Sequence, residues 1–196
     1  MKLLISVGIL VGAIGCRSTS SRYYTLVAAP DAVHTVASSQ LQLDVLPVDV
    51  PPEVDRAEMV VREGPGELTP VDTRSWIAPL PLEIRRAFSD DLSRDLGALD
   101  ITGMTPATGL PTYRIKLVVR RFESVLGKRA VIDAISTVHE MTGAAPTLVC
   151  SHHASEPART GYDGLAEAHQ RALALVAKQV ATSVRSFATG TAACSK

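Results

Sequence analysis

The chain has 196 residues, 46% of them hydrophobic, 20% charged and 4% aromatic, and its 20 basic residues balance 20 acidic ones. A zero net charge with so few rings excludes nucleic-acid binding, which calls for a basic face and stacking aromatics. Residues 16–196 suffice for one domain with a proper core, and nothing after residue 16 is long and apolar enough to span a membrane.

The first element stands apart from the rest of the chain. Lys2 is followed by twelve uncharged residues, 3–14, and then by Gly15-Cys16. A bilayer core calls for about 20 apolar residues as a helix, so this run is too short to span. A positive residue, a short apolar region and small residues, in that order, make a secretory signal. Ala13-Ile14-Gly15-Cys16 resembles the bacterial lipobox, with Ala13 where leucine is commonest. That resemblance implies acylation of the Cys16 sulfur and cleavage just before it. At about 0.8 kcal/mol per buried methylene, several acyl chains make a stable anchor. In Gram-negative sorting an aspartate after the cysteine favours the inner membrane. Arg17 stands there instead, which implies the periplasmic face of the outer membrane. The expected division is a signal peptide (1–15), a lipidated cysteine with a short tether (16–22), and a single periplasmic domain (23–196). The covalent lipid on Cys16 is the only non-protein group expected; there is no other cofactor.

Within the domain, RYYTLV reads as a first strand and residues 28–40 as a loop of small, turn-prone residues. LQLDVLPVDVP alternates through Leu41, Leu43 and Val45 before Pro47, Pro51 and Pro52 end it. AEMVVREGPGELTPVD reads as a hairpin turning at Gly64-Pro65-Gly66. Ile84, Phe88, Leu92, Leu96 and Leu99 recur at helical spacing, with Glu83, Arg86, Asp90 and Arg94 on another face. Pro81 suits the first turn of that helix and Gly97 its stop. TYRIKLVVRRFE alternates cleanly; RAVIDAISTVHEM follows a turn at Gly127-Lys128, and PTLVCSHHA is a third strand of the same group. The longest helix covers about residues 162–187, with Leu165, His169, Leu173, Val176, Val180, Val184 and Phe187 as its apolar stripe. The predicted order β-β-β-β-α-β-β-β-α implies an α+β fold, a mainly antiparallel sheet with two helices packed on one face.

Motifs for chemistry are missing. His152 and His153 are adjacent on a strand and point to opposite faces, so they cannot chelate together. Cys150 and His152 share a face but are two ligands where zinc wants more, and no metal is expected. His139-Glu140 lacks the second histidine of H-E-x-x-H, and His169 reads as a hydrogen-bonded core histidine. Asp91 and Asp95 sit among Arg85, Arg86 and Arg94, as in a solvated ion-pair face. No nucleophile elbow, P-loop or dinucleotide fingerprint occurs. With Cys16 lipidated, Cys150 and Cys194 are the remaining cysteines and form a candidate disulfide in an oxidising periplasm. Spacing alone does not bring their Cα atoms within bridging distance. Trp76, with Pro79 and Leu80 beside it, has two readings: a cap on the core under the first helix, or an anchor for a partner.

Several stretches together resemble the ABC-type transport auxiliary lipoproteins, the PqiC/YmbA-like outer-membrane lipoproteins. They are RYYTL after the lipobox, VDVPPEVDRAEMVVREGPGEL, RSWIAPL, VRRFE and AEAHQRALALVAKQVATSV. Ala78 departs from the family, which often has glutamate before that proline. The resemblance covers nearly the whole mature chain. It implies a non-enzymatic adapter of an intermembrane phospholipid transport system, with an MCE-domain protein as partner and phospholipid as a candidate ligand. The alternative is a lipoprotein that regulates an envelope enzyme such as a cell-wall synthase.

Overall fold

The computed structural model describes residues 20–29, 40–143 and 146–195. The signal segment, Cys16, residues 17–19 of the tether and most of the loop expected over 28–40 lie outside the described residues. Ten elements follow in order: β1 (Arg22–Tyr24), β2 (Gln42–Val45), β3 (Glu58–Gly64), β4 (Glu67–Trp76), α1 (Leu80–Leu96), β5 (Leu99–Asp100), β6 (Thr112–Val125), β7 (Arg129–Glu140), β8 (Leu148–Pro157) and α2 (Gly161–Ala188). The fold is α+β, with two helices packed against mixed, mostly antiparallel sheets.

The strands divide into two sheets, ordered β1-β4-β3 and β5-β2-β6-β7-β8. Hairpins make β3–β4, β6–β7 and β7–β8 antiparallel. The pairs β1–β4, β2–β5 and β2–β6 are parallel, which the expectation of one mainly antiparallel sheet did not include. The parallel pairs join segments far apart in sequence, because parallel neighbours need a long crossover. For β2 and β6 that crossover contains β3, β4, α1 and β5.

The five-stranded sheet and α2 share one long axis. Ile115, Leu117 and Val119 of β6, with Ile132, Ala134 and Val138 of β7, form its buried helix-facing side. Along α2, Leu165, His169, Leu173, Val176, Val180, Val184 and Phe187 are buried, as a 3.6-residue period demands. Alanines at 166, 168, 172, 177 and 181, with Gly164 and Ser183, fill the remaining buried positions and allow close approach to α1 and the strands. The axis has identifiable ends. Phe187 near the end of α2 meets Tyr113 at the start of β6 edge-on, 6.1 Å between centroids. At the other end Ala158, just before α2, donates its backbone N–H to Lys128 O in the β6–β7 turn. With 14 residues in β6 at about 3.3 Å each, the ends lie roughly 45 Å apart.

α1 ends where Gly97 takes φ 62, a left-handed conformation that favours glycine. The Ala98 and Gly97 N–H groups turn back to Ser93 O and Arg94 O, which satisfies two terminal carbonyls. Leu99 therefore leaves the helical stripe it was expected to complete and becomes exposed in β5.

Glu83 reverses its expected place in the opposite sense. Assigned to the polar face of α1, it is fully buried. Its Oε2 accepts hydrogen bonds from Thr25 Oγ1 at 2.7 Å and Leu26 N at 2.8 Å. The residues following β1 lie over the first turn of α1 and cover that face, a contact across 57–58 residues of sequence that helical periodicity could not reveal. Replacing Glu83 by alanine removes the acceptor for two donors in or near the core and is expected to cost about 2–4 kcal/mol in urea unfolding. Glu83→Gln keeps one acceptor oxygen and is expected to cost less. Equal stability of wild type and Glu83→Ala would show that the contact does not hold the segment.

Candidate functional site

The entry of the tether into the domain is closely held. β1 runs parallel to the end of β4, with Arg22, Tyr23 and Tyr24 opposite Arg74, Ser75 and Trp76. Tyr24 O accepts from Ile77 N at 2.8 Å, and Thr25 O accepts from Gln170 Nε2 of α2 at 3.0 Å. With the Glu83 bonds, residues 24–26 are tied to the end of β4, α1 and α2, eight to ten residues after Cys16. Arg22 lies 4.0 Å from Asp163 in the first turn of α2, so the tether leaves from the end of the long axis that carries the β6–β7 turn.

Of the two readings of the Trp76 segment, the burial of Trp76 and Leu80 in the core fits the cap; of the three candidate interface residues only Pro79 is exposed. Trp76 meets Phe122 of β6 and His169 of α2 edge-on, each at 6.0 Å between centroids. The His169 ring stacks on Phe122 at 4.0 Å. This cluster joins β4 of one sheet, β6 of the other, and α2, which explains why a lone tryptophan is placed inside. The exposed apolar side chains of the segment are Ile77 and Leu82, one on each side of Pro79.

Two buried Ser–His pairs invite a catalytic reading. Ser124 Oγ lies 2.8 Å from His169 Nε2, and Ser136 Oγ lies 2.7 Å from His152 Nε2. A serine nucleophile needs an oriented base and room for a substrate. The Nδ1 of His169 has no hydrogen-bond partner, and all four side chains are buried. Burial pushes His169 down to about 3 and also lowers His152, which favours the neutral imidazole in both. They act as polar core residues that satisfy their serines.

The helix-free face of the five-stranded sheet carries charge. Glu123 is nearly buried, with Arg62 at 2.6 Å, Arg121 at 2.7 Å and Arg129 at 3.7 Å. Burial opposes its ionisation, yet hydrogen bonds from Arg121 and Arg62 outweigh that and hold its carboxyl below the usual range. Asp133 extends the group by accepting from His153 Nδ1 at 2.5 Å. His152 points inward and His153 outward, consistent with strand alternation. Asp91 is paired with Arg94 at 2.6 Å. Burial raises its carboxyl pKa against that pairing. Asp95 does not join it in a carboxylate pair: its described contact is a backbone carbonyl that accepts from Arg185. Among the described residues no three His, Cys, Asp or Glu side chains converge on a metal-sized site. No helix among them is long and apolar enough to cross a membrane.

Cys150 and Cys194 are bonded, with Cα atoms 5.5 Å apart. The 44-residue separation gives a stabilisation of about 4 kcal/mol in the chain-entropy model. The bond pins the tail after α2 to the start of β8.

These features define a two-sheet, two-helix α+β domain whose distinguishing feature is the close attachment of residues 22–26 to β4, α1 and α2. The family comparison gives that class its place. The model of the ABC-type transport auxiliary lipoprotein component family matches residues 24–181, and the chain belongs to this family. It is an auxiliary lipoprotein component of an ABC-type transport system, from a family that is generally non-catalytic. Two solved structures share the fold. One is described only as an uncharacterized protein, with a TM-score of 0.66 and 16% identity over 84% of this chain and 99% of that one. The other is protein XCC0632 from Xanthomonas campestris, of family DUF330, with a TM-score of 0.64 and 19% identity over 89% and 100%. No curated protein matches the chain.

The depressed His169 pKa has a consequence for acid stability. The unfolded imidazole takes up a proton below about 6.5, whereas the folded one resists until about 3. This contribution is fully present above pH 6.5 and is lost as pH falls toward 3. By linkage the loss is about 2 kcal/mol at pH 5. Urea midpoints measured between pH 7 and 4 should fall more steeply for wild type than for His169→Leu. Parallel profiles would show that the histidine does not govern the response.

Proposed function

We propose that the chain is a lipid-anchored adapter on the periplasmic face of the outer membrane, where it docks the conduit of an MCE-type phospholipid transport system. The observation that carries this reading is the short path from Cys16 to a fixed strand. From Cys16 to Arg22 an extended chain reaches at most roughly 20 Å, and β1 begins at Arg22. A domain held this way stays beside its membrane, and its partner crosses the periplasm to reach it. A regulator of a cell-wall synthase needs a long, flexible reach, which this tether opposes. Family membership supports the transport setting, and the MCE partner is our assignment. Several acyl chains on Cys16 give the stable attachment such a dock requires.

In cells, Cys16→Ser should move the protein from the outer-membrane fraction to the soluble periplasm. The lipidated wild type should co-purify with an MCE-domain protein from a lipid-competent preparation. Wild type that remains soluble, or that isolates repeatedly without an MCE-domain protein, contradicts the proposal.

A further inference from the structure

The end of the long axis farthest from the tether bears a cluster of exposed apolar side chains. Met104 is 68% exposed, Leu99 56%, Met141 39% and Leu110 36%. Beside them a concavity of about 290 Å³ is lined by Leu46, Ile101, Met104, Pro106 and Met141, with Asp44 and Arg114 along it. Asp44 and Arg114 neutralise one another at 2.7 Å, so this lining carries no net charge.

The surface is built rather than frayed. Buried Gln42 grips the loop that carries Met104 and Leu110 with both ends of its amide. Its Nε2 donates to Ala107 O at 3.1 Å and its Oε1 accepts from Ala107 N at 2.9 Å. Met104 N donates to Ile101 O, and Met141 N to Thr112 O. Asp100 holds the start of the loop by accepting from Thr102 Oγ1 and N. The Cys150–Cys194 bond staples the same end of the sheet. Exposed apolar groups on a pre-formed surface mark interaction sites, and methionines adapt well to the shape of an apolar partner.

We propose that this tip is a docking surface for an apolar segment of a different protein, one that approaches from the side away from the bilayer. The inference rests on lipidation of Cys16, and geometry then selects the occupant. To press the tip face-on into the bilayer, the tethered end would have to rise roughly 45 Å, about twice the reach of the tether. Two copies joined tip to tip would hold their anchors on opposite sides, roughly 90 Å apart, and could not insert both in one membrane surface. A distinct protein coming from the opposite side satisfies the geometry. Its segment should be apolar and uncharged where it meets Met104 and Met141.

The test places a photo-crosslinking amino acid at Met104, and separately at Met141, in the full lipidated chain in cells. Adducts are identified by mass spectrometry. The expected adduct joins the chain to a protein of an ABC-type transport system. The same partner should be recovered about tenfold less well by a Met104→Glu, Met141→Glu double variant. Both side chains are exposed, so the variant should unfold at the wild-type urea concentration. An adduct with lipid, with a second copy or within the chain overturns the proposal, as does no adduct at either position. Unchanged recovery by the double variant also overturns it. An adduct with a transport protein that lacks an MCE domain keeps the docking surface and overturns the MCE assignment. Recovery of the MCE-domain protein without adducts at the tip does the reverse.

Discussion

The contact on which the rest depends is the one made by the Glu83 carboxylate. It is fully buried in the first turn of α1, and its Oε2 receives two hydrogen bonds from the segment that follows β1. Without that acceptor Leu26 N, a buried donor, would be left unpaired, a costly arrangement. With it, Leu26 at the start of the domain becomes part of the core. The tether therefore ends at a fixed point, and under the proposed lipidation of Cys16 its length sets how far the domain can stand from the membrane.

From that point the fold extends along one direction. α2, with 28 residues, covers about 42 Å, nearly the full length of β6. The Trp76–Phe122–His169 cluster holds the three-stranded sheet against this axis near the tethered end. The disulfide and the Gln42 amide organise the opposite tip. The fold is thus built along one axis, with the proposed lipid attachment toward one end and an uncharged apolar surface at the other. Several buried polar groups join separate elements: Glu83 joins α1 to the segment after β1, Ser124 and His169 join β6 to α2, and Ser136 and His152 join the neighbouring strands β7 and β8.

The two helices were legible in the sequence because a 3.6-residue stripe is a local signal, and α2 has the buried residues expected of it. The hairpins were legible from alternation and turn residues. What periodicity could not reveal depends on partners distant in sequence. Glu83 looked like a surface residue because the chain that covers it lies 57 residues away. The division into two sheets follows from parallel pairings between segments joined by long crossovers, and β5 has only two residues, too few for a pattern. The Trp76 neighbourhood was singled out for its composition. Side-chain direction, visible only in three dimensions, makes Trp76 and Leu80 core and leaves Pro79 outside. The tip went unnoticed because Met104, Leu110 and Met141 belong to loops without periodicity.

The orientation of this domain on its membrane is directly measurable. The lipidated chain can be reconstituted in vesicles with a donor dye at position Met104 or at position Lys128 and an acceptor at the bilayer surface. Energy transfer should place Lys128 within roughly 20–30 Å of that surface and Met104 more than about 40 Å from it. Equal distances for the two positions would mean that the domain lies flat, contradicting the account of a tip that faces away from its own membrane.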